Sequence, residues 1–431
     1  MTRPEIESAQ LDALRTLLAE ILPGNRFYAA KLAAAGVGFD VAGLSDFTAR
    51  FPFTTKAELA ADQQAHAPWG TNLTYPLAAY TRFHQTSGTT AGSLRWLDTP
   101  ASWDALLEGW CEVYRAAGVG AGDRVYFAFS FGPFLGFWMA FESAQRLGCL
   151  CLPGGGLVSV ARLRAILDNG ATVLCCTPSY AIRLGEVARA EGLGLGQARV
   201  RQIIVAGEPG GSIPATRARI TELWPGAGVF DHHGMTETGP VTYECPARPG
   251  VLHVIESACL AEVVEPVSGR PVVAGEPGEL VLTTLGRAGS PVLRYRTGDL
   301  VRREPLGQAC ACARWEMALA GGILGRVDDM VIVRGVNLYP AAVEQVVRGF
   351  PEVAEFQVTI TEQRAMTELE VTLEPVRGCA DADALAAQVE GALARAFALR
   401  IPVACAATGA LPRFEMKARR WVRGGGNPKS E

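Results

Sequence analysis

The chain has 431 residues, more than one hydrophobic core usually supports, so we expect at least two domains. Its net charge of −4 and pI near 5.9 argue against a nucleic-acid-binding protein, which normally has a basic face. We find no signal peptide in the segment Met1–Glu7 and no apolar stretch of membrane-spanning length. We therefore expect a cytoplasmic protein without a membrane partner.

Helices are predicted in the first eighty residues, for example Ala9–Ile21, where leucines recur at helical spacing. From Arg124 onward, short apolar runs alternate with amphipathic segments. The predicted strands and helices are, in chain order, Arg124–Phe129, Gly136–Leu147, Cys149–Leu152, Val158–Asn169, Thr172–Cys176, Ser179–Glu191, Gln202–Ala206 and Ile213–Leu223. This alternation indicates a parallel α/β sheet with crossover helices.

The pattern changes twice more. After Gly239, segments rich in turns predict antiparallel strands that form a small distorted β-barrel. After Arg326, two predicted strands and two predicted helices form a compact α+β unit; they are Ala341–Arg348 (helix), Phe356–Thr361 and Leu369–Leu373 (strands) and Ala382–Phe397 (helix). We therefore expect an α/β fold in two parts: a large domain over 1–327 with parallel-rich sheets, flanking helices and the barrel, and a small mobile domain over 328–431.

Polar, glycine-rich segments at the strand ends are the candidates for chemistry, because ligands of open α/β sheets bind there. Gln85–Gly92 places four hydroxyls around two glycines, which suits a bound phosphate, although a flexible linker has the same composition. It is not a Walker loop, since no Gly-Lys-Ser/Thr follows. Asp231–Gly239 offers a ring, a hydroxyl and a carboxylate, suited to a base, a phosphate and a divalent cation; the alternative is a polar loop.

Two further segments complete the pattern. Tyr295–Leu300 places Asp299 after a turn glycine, where a carboxylate suits vicinal ribose hydroxyls, although an Asx turn has the same sequence. Gly325–Met330 lies where the composition changes, which predicts a hinge between domains.

Together and in this order, the four segments resemble the adenylate-forming superfamily of acyl-CoA synthetases, luciferase and peptide-synthetase adenylation domains. The resemblance is closer to the phenylacetate–CoA ligase family and runs from about Phe53 to Trp421. It implies ATP-dependent activation of a small carboxylic acid as an acyl adenylate, with transfer to coenzyme A. The further supporting segments are Gly207–Pro209, Gly278–Leu285, Leu293–Leu300 and Leu411–Arg413.

The resemblance also implies residue roles. Lys417, Thr236 and Glu237 would be catalytic, with Lys417 acting during adenylation and Glu237 holding Mg²⁺. Asp328 would be the hinge residue. The residues implied to bind ATP are Thr86, Ser87, Gly88, Thr89, Thr90, Gly207, Glu208, Pro209, Asp231, His232, His233, Gly234, Asp299 and Arg326.

The sequence identifies the acyl pocket less clearly than the nucleotide site. Aromatic residues after the first predicted strand favour an aryl acid, although core packing explains such residues equally well. The residues expected around the acyl group are Phe131, Phe134, Gly155, Gly207, His233 and Gly234.

Two departures from the family pattern concern the phosphate loop. Ala91 stands where a third glycine is usual, and Ser93–Arg95 stands where Lys-Pro is common. These departures leave open that the chain is a degenerate, non-catalytic nucleotide-binding protein. The retention of Glu237 and Lys417 argues against that alternative. The sequence also leaves open whether the acyl acceptor is coenzyme A or instead a carrier-protein thiol, an amine or a hydroxyl, and whether the chain forms a homodimer.

Eleven cysteines in a cytosolic chain predict reduced thiols or metal ligands. Cys245, His253, Cys310 and Cys312 offer three thiolates and one imidazole, a set that suits tetrahedral zinc and resembles a pattern in phenylacetate–CoA ligase relatives. Four protein ligands leave no open position, so the zinc would be structural. The alternative is a set of incidental thiols.

Overall fold

The computed structural model describes residues 1–86, 93–334, 336–363, 366–414 and 418–424. The predicted phosphate-loop residues from Ser87 to Thr90, and Lys417, lie outside these ranges. Among the described helices, none combines the length and the apolar character that a membrane span requires.

Four helices open the chain; the first three pack in one cluster against the antiparallel sheet described below, and the fourth packs through Leu59 against Tyr295 of that sheet. Helix α1 begins with a capping box between Thr2 and Glu5, and it buries leucines at helical spacing, among them Leu14 and Leu18. The helices are α1 (Arg3–Ile21), α2 (Arg26–Ala34), α3 (Leu44–Arg50) and α4 (Lys56–Ala65).

The central layer is a five-stranded parallel sheet in the order β4-β3-β5-β6-β7. Its strands are β3 (Arg124–Phe127), β4 (Leu150–Pro153), β5 (Val173–Cys176), β6 (Gln202–Val205) and β7 (Gly228–Asp231). The helices that flank the sheet are α5 (Pro100–Ala116), α6 (Leu135–Arg146), α7 (Ser159–Asp168), α8 (Pro178–Ala190) and α9 (Pro214–Leu223). Alternate strand residues face opposite sides; Val125 and Phe127 pack toward α5 and α6, and Tyr126 packs toward α7–α9.

The strand order reverses at β3. The next strand along the chain, β4, lies on one side of β3, and the strand that follows β4, which is β5, lies on the other side. A crevice forms where the connections after β3 and β5 run in opposite directions, and ligands of open sheets bind there. The aromatic segment 128–134 follows β3 and therefore lies at this crevice.

A six-stranded antiparallel half-barrel sheet follows, in the order β10-β11-β15-β14-β13-β12. Its strands are β10 (Thr242–Glu244), β11 (Val251–Val254), β12 (Cys259–Val264), β13 (Pro277–Thr284), β14 (Tyr295–Arg303) and β15 (Ala318–Arg326). Two hairpins stand apart from it: β1 (Arg82–Gln85) with β2 (Arg95–Asp98), and β8 (Gly234–Met235) with β9 (Gly239–Pro240).

The C-terminal part has its own hydrophobic core, whose fully buried members lie between Val333 and Ile401. A hairpin, β16 (Val331–Val333) with β17 (Val336–Leu338), precedes a four-stranded sheet in the order β20-β19-β18-β21. The remaining elements are α10 (Pro340–Val347), β18 (Val353–Gln363), β19 (Met366–Pro375), α11 (Ala382–Phe397), β20 (Val403–Cys405) and β21 (Trp421–Arg423).

The predicted α/β class and the alternation of strands and helices are confirmed, and α11 has the predicted bounds. Helix α1 begins at Arg3, before the predicted Ala9, and strands β18 and β19 are longer than the predicted Phe356–Thr361 and Leu369–Leu373. Both strands continue through polar residues, such as Glu362 and Thr367, because cross-strand pairing extends beyond the apolar core. Apolar patterning therefore underestimates a hairpin that projects into solvent.

Candidate active site

A tight hairpin presents Thr236 and Glu237 at the centre of the candidate site. Strands β8 and β9 pair around the turn, and Gly239 adopts φ +84°, a conformation that favours glycine. A side chain at Gly234 would place its Cβ 2.9 Å from the Gly239 carbonyl oxygen. The glycines therefore permit a turn that projects a hydroxyl and a carboxylate together.

Arg287 holds this turn from the buried side. Its Nε and Nη2 each donate to Asp98 at 2.7 Å, and its Nη1 donates to the carbonyls of Thr236 and Glu237 at 2.7 and 3.1 Å. Burial alone would raise the pKa of the Asp98 carboxyl, but the Arg287 charge holds that pKa below its ordinary value. The backbone of the turn is thus fixed by a buried ion pair.

His233, Asp299 and Arg326 lie together, as expected for a nucleoside site. His233 Nε2 is 3.1 Å from Asp299 Oδ2, and Arg326 Nη1 is 3.2 Å from Asp299 Oδ1. Among the described residues, neither His233 Nε2 nor Asp299 Oδ2 makes a well-aligned hydrogen bond, although both atoms are buried. A carboxylate oxygen and a ring nitrogen without aligned partners suit the hydroxyls of a bound ribose.

The segment predicted to bind phosphate begins at the β1–β2 hairpin. Thr86 is buried and pairs with Leu94 across the hairpin, through Thr86 N to Leu94 O and Leu94 N to Thr86 Oγ1. Residues 87–92 connect these two positions. Arg95, near the place of the usual loop lysine, turns away and donates to the Pro68 carbonyl at 2.9 Å.

Lys56 is a residue that the sequence reasoning missed. It begins helix α4, and its Nζ lies 3.7 Å from Glu237 Oε1. The chain contains four lysines, at positions 31, 56, 417 and 429. Because lysine is so rare here, each one is a candidate for a specific role, and this is the signal in the sequence that points to Lys56. Arg287, one of 36 arginines (40 basic residues less four lysines), carried no such signal.

Two other predicted ATP-binding residues, His232 and Asp231, are buried and contact other protein groups. His232 is buried edge-on against the Trp110 ring at 4.3 Å, and burial lowers its pKa to about 3. Burial raises the pKa of Asp231 to about 7, and Ser212 donates to that carboxyl at 2.6 Å. Both residues therefore support the segment from its core side.

The segment Gly207–Pro209 follows β6, and Gly207 adopts φ +94°. Glu208 accepts hydrogen bonds from the backbone amides of Ser179 and Ala418. Its carboxylate is thus engaged by protein groups.

A second polar cluster lies at the edge of the half-barrel sheet. The ligand atoms of Cys245, His253, Cys310 and Cys312 all lie within 4.8 Å of one another. Cys245 Sγ is 3.6 Å from Cys310 Sγ, and Cys312 Sγ is 3.3 Å from His253 Nε2. Burial lowers the pKa of His253, which favours the neutral imidazole that a metal requires. Three sulfurs and one nitrogen fit a zinc ion.

Comparisons with known proteins show the family to which the chain belongs. Residues 99–287 match the family model described as AMP-binding enzyme, and residues 335–423 match AMP-binding enzyme C-terminal domain. Phenylacetate-coenzyme A ligase of Thermus thermophilus is 34% identical over 382 residues, covering 87% of this chain and 82% of the relative. The Escherichia coli enzyme of the same name is 31% identical over 377 residues, covering 86% of this chain and 82% of the relative.

The fold has a solved counterpart in a 2-hydroxyisobutyryl-CoA ligase bound to its acyl adenylate in the postadenylation state. The TM-score is 0.92 at 28% identity, covering 98% of this chain and 90% of that chain. The same ligase in the thioesterification state, with CoA, gives a TM-score of 0.74.

Fold and site thus define an adenylate-forming ligase, which joins a carboxylic acid to AMP at the expense of ATP and then passes the acyl group to coenzyme A. Within that class, the chain belongs to the phenylacetate–CoA ligase family.

Proposed function

We propose that the acid activated by this ligase is a small aryl acid held against the aromatic segment after β3. Phe129 stacks on Phe137 with ring centroids 4.2 Å apart, and Phe131 meets Phe129 edge-on at 5.6 Å. Aromatic pairs of this kind favour further flat rings through offset or edge-on contacts.

The observation that carries the proposal is a hydrogen bond from Gln85 N to Pro133 O at 2.9 Å. It joins the aromatic segment to the start of the phosphate-binding segment, so an acid lying against Phe131 would be near the nucleotide. Gly155 faces this ring; a Cβ there would lie 3.8 Å from Phe131 Cδ2. A larger side chain at Gly155 would fill the space that we assign to the acyl group.

The experiment is acid-dependent pyrophosphate release across a panel, with ATP and with or without coenzyme A. Phenylacetate and substituted benzoates test the aryl class, and 2-hydroxyisobutyrate tests the acid that names the structural counterpart. We expect the highest kcat/KM with an aryl acid and a large loss in Gly155→Leu. A preference for 2-hydroxyisobutyrate would contradict the proposal.

We further propose the following roles in the nucleotide site. Asp299 and His233 bind the nucleoside, with Arg326 orienting Asp299, and Thr236 contacts the α-phosphate. Glu237 presents a carboxylate oxygen suited to Mg²⁺, which when bound would neutralise phosphate charge. Lys417 stabilises the charge that develops as the acid attacks ATP.

The cysteine–histidine cluster is proposed as a structural zinc site. Its donor set is that of structural zinc, and its four ligands come from β11, from the end of β10 and from the connection between β14 and β15. A zinc ion there would tie that connection to the edge of the sheet, without taking part in the reaction.

We also propose that 1–327 and 328–431 are separate bodies joined at Asp328. The separate core of the C-terminal part supports this division. The smaller domain would then rotate between the two half-reactions and present a different face to the same active site in each.

A further inference from the structure

Glu208 links the two parts of the chain through its two carboxylate oxygens. Oε1 accepts a hydrogen bond from Ser179 N at 2.8 Å, and Oε2 accepts one from Ala418 N at 2.6 Å. Ser179 lies in the first turn of α8, whose amides lack partners within the helix and attract an anion. The helix therefore orients the carboxylate, whose other oxygen holds the C-terminal domain.

A second contact lies beside the first. Arg420 Nη2 donates to Ser179 Oγ at 3.1 Å, while its Nε donates to Glu355 Oε1 at 2.7 Å. Its Nη1 is 3.4 Å from Glu344 Oε1, and the side chain is almost fully buried. Because two carboxylates of the C-terminal domain fix Arg420, its hydrogen bond to Ser179 helps to hold that whole domain in place relative to α8.

We propose that Glu208 is a positioning residue for adenylation, which holds the C-terminal domain in the orientation described here through the amide that follows Lys417. This inference rests on the proposed role of Lys417 and gives Glu208 a role different from the nucleotide contact that the family resemblance implies. The orientation is the one matched with a TM-score of 0.92 in the postadenylation state, against 0.74 in the thioesterification state. A domain that turns away gives up the bond from Ala418 N, while Glu208 keeps the bond from Ser179 N.

The test separates the two half-reactions in Glu208→Gln. Glutamine keeps one carbonyl oxygen but replaces the other with an NH₂ group, so one of the two amides faces a donor. Adenylation is followed as ATP–pyrophosphate exchange with phenylacetate, and transfer is followed as thioester formation from supplied phenylacetyl adenylate and coenzyme A. We expect exchange to fall about ten- to hundredfold, as for the loss of a hydrogen bond to a charged group, while transfer is retained.

Glu208→Asp is the second variant, since it keeps the charge but cannot span both amides, and it should show the same division. Glu191→Gln, at an exposed position after α8, is the matched control. Equal losses in both half-reactions, or none, would overturn the inference. So would a raised KM for ATP with kcat unchanged, which would place Glu208 against the nucleotide. If the wild type itself shows no exchange with any acid, the proposed function fails instead.

Discussion

Lys56 Nζ lies 3.7 Å from Glu237 Oε1, so a lysine from helix α4 faces the carboxylate that we assign to magnesium. The segment predicted to bind phosphate lacks the lysine that is common in the family, and Arg95 is directed toward the Pro68 carbonyl instead. We therefore expect Lys56 to supply a positive charge to the phosphates of ATP, from a different element of the fold.

Lys56→Ala should raise the KM for ATP and slow adenylation about ten- to hundredfold, as for a lost hydrogen bond to a charged group. Steady-state kinetics with pyrophosphate release as the readout measures this. Lys31→Ala is the control, because Lys31 pairs with Glu58 instead; surface pairs contribute at most about 1 kcal/mol. If the two variants behave alike, Lys56 is a surface partner of Glu237 and nothing more.

Lys417→Ala should lower adenylation by about two or more orders of magnitude, because one lost electrostatic contact in a water-excluded site costs ~2.7–4 kcal/mol. Thioester formation from supplied acyl adenylate should be largely retained, as should the melting temperature. Arg419→Ala provides a control two residues along the chain. Wild-type pyrophosphate exchange in the Lys417 variant would remove this residue from the mechanism.

The cysteine–histidine cluster predicts one tightly bound zinc per chain, measurable by metal analysis after dialysis under reducing conditions. Chelation should destabilise the fold by about 4 kcal/mol where free zinc had exceeded its dissociation constant a thousandfold. Cys310→Ser should lose the metal and melt earlier, with the KM for ATP unchanged. Cys379→Ser, outside the cluster, should keep both properties. A zinc content near zero in the wild type would refute the site.

Arg287→Lys should weaken the support beneath Thr236 and Glu237. A lysine cannot reproduce the two-pronged contact with Asp98 and also reach both turn carbonyls, so we expect a stability loss of about 1–3 kcal/mol and a raised requirement for Mg²⁺. Urea unfolding and magnesium titration of the adenylation rate measure the two effects.

The pH dependence provides a further check on this variant. The pKa of Asp98 is lowered in the folded state, so the stability from its pairing is present above its ordinary pKa, near ~4, and is lost as the pH falls through the lower, folded-state value. The stability difference between wild type and Arg287→Lys should therefore shrink in acid. A difference that stays constant would mean that the charge of Asp98 is not involved.

The fold class followed from the alternation of strands and helices in the sequence. The grouping of His233, Asp299 and Arg326 followed from the family resemblance, because each lies in a short segment that matches a family motif. The sequence did not predict Lys56 or Arg287, because both contact Glu237 from far away in the chain. Lys56 precedes Glu237 by 181 residues, and Arg287 follows it by 50. Nor could the sequence separate the two histidines: successive residues after a strand face opposite sides, so His233 reaches Asp299 while His232 packs against Trp110.

The last prediction concerns Asp328. Arg326 contacts Asp299 through Nη1 and donates from Nε to Asp328 at 2.9 Å, and Val327 N donates to Gly298 O at 2.7 Å. Asp328 itself is exposed, with 68% of its side chain accessible, so packing does not oppose a change in its backbone angles. We therefore expect rotation of the C-terminal domain to occur at this residue.

Asp328→Pro should fix φ near −65° and restrict Val327 to extended conformations. Because the described orientation matches the postadenylation state of the solved counterpart, we expect pyrophosphate exchange to survive better than thioester formation. Asp328→Ala removes the contact with Arg326 but leaves the backbone free, so it should retain both half-reactions. Rapid-quench measurement of each half-reaction decides the matter. If the proline variant stays folded and both steps slow by the same factor, the residue is not the hinge, and the domain turns elsewhere along the chain.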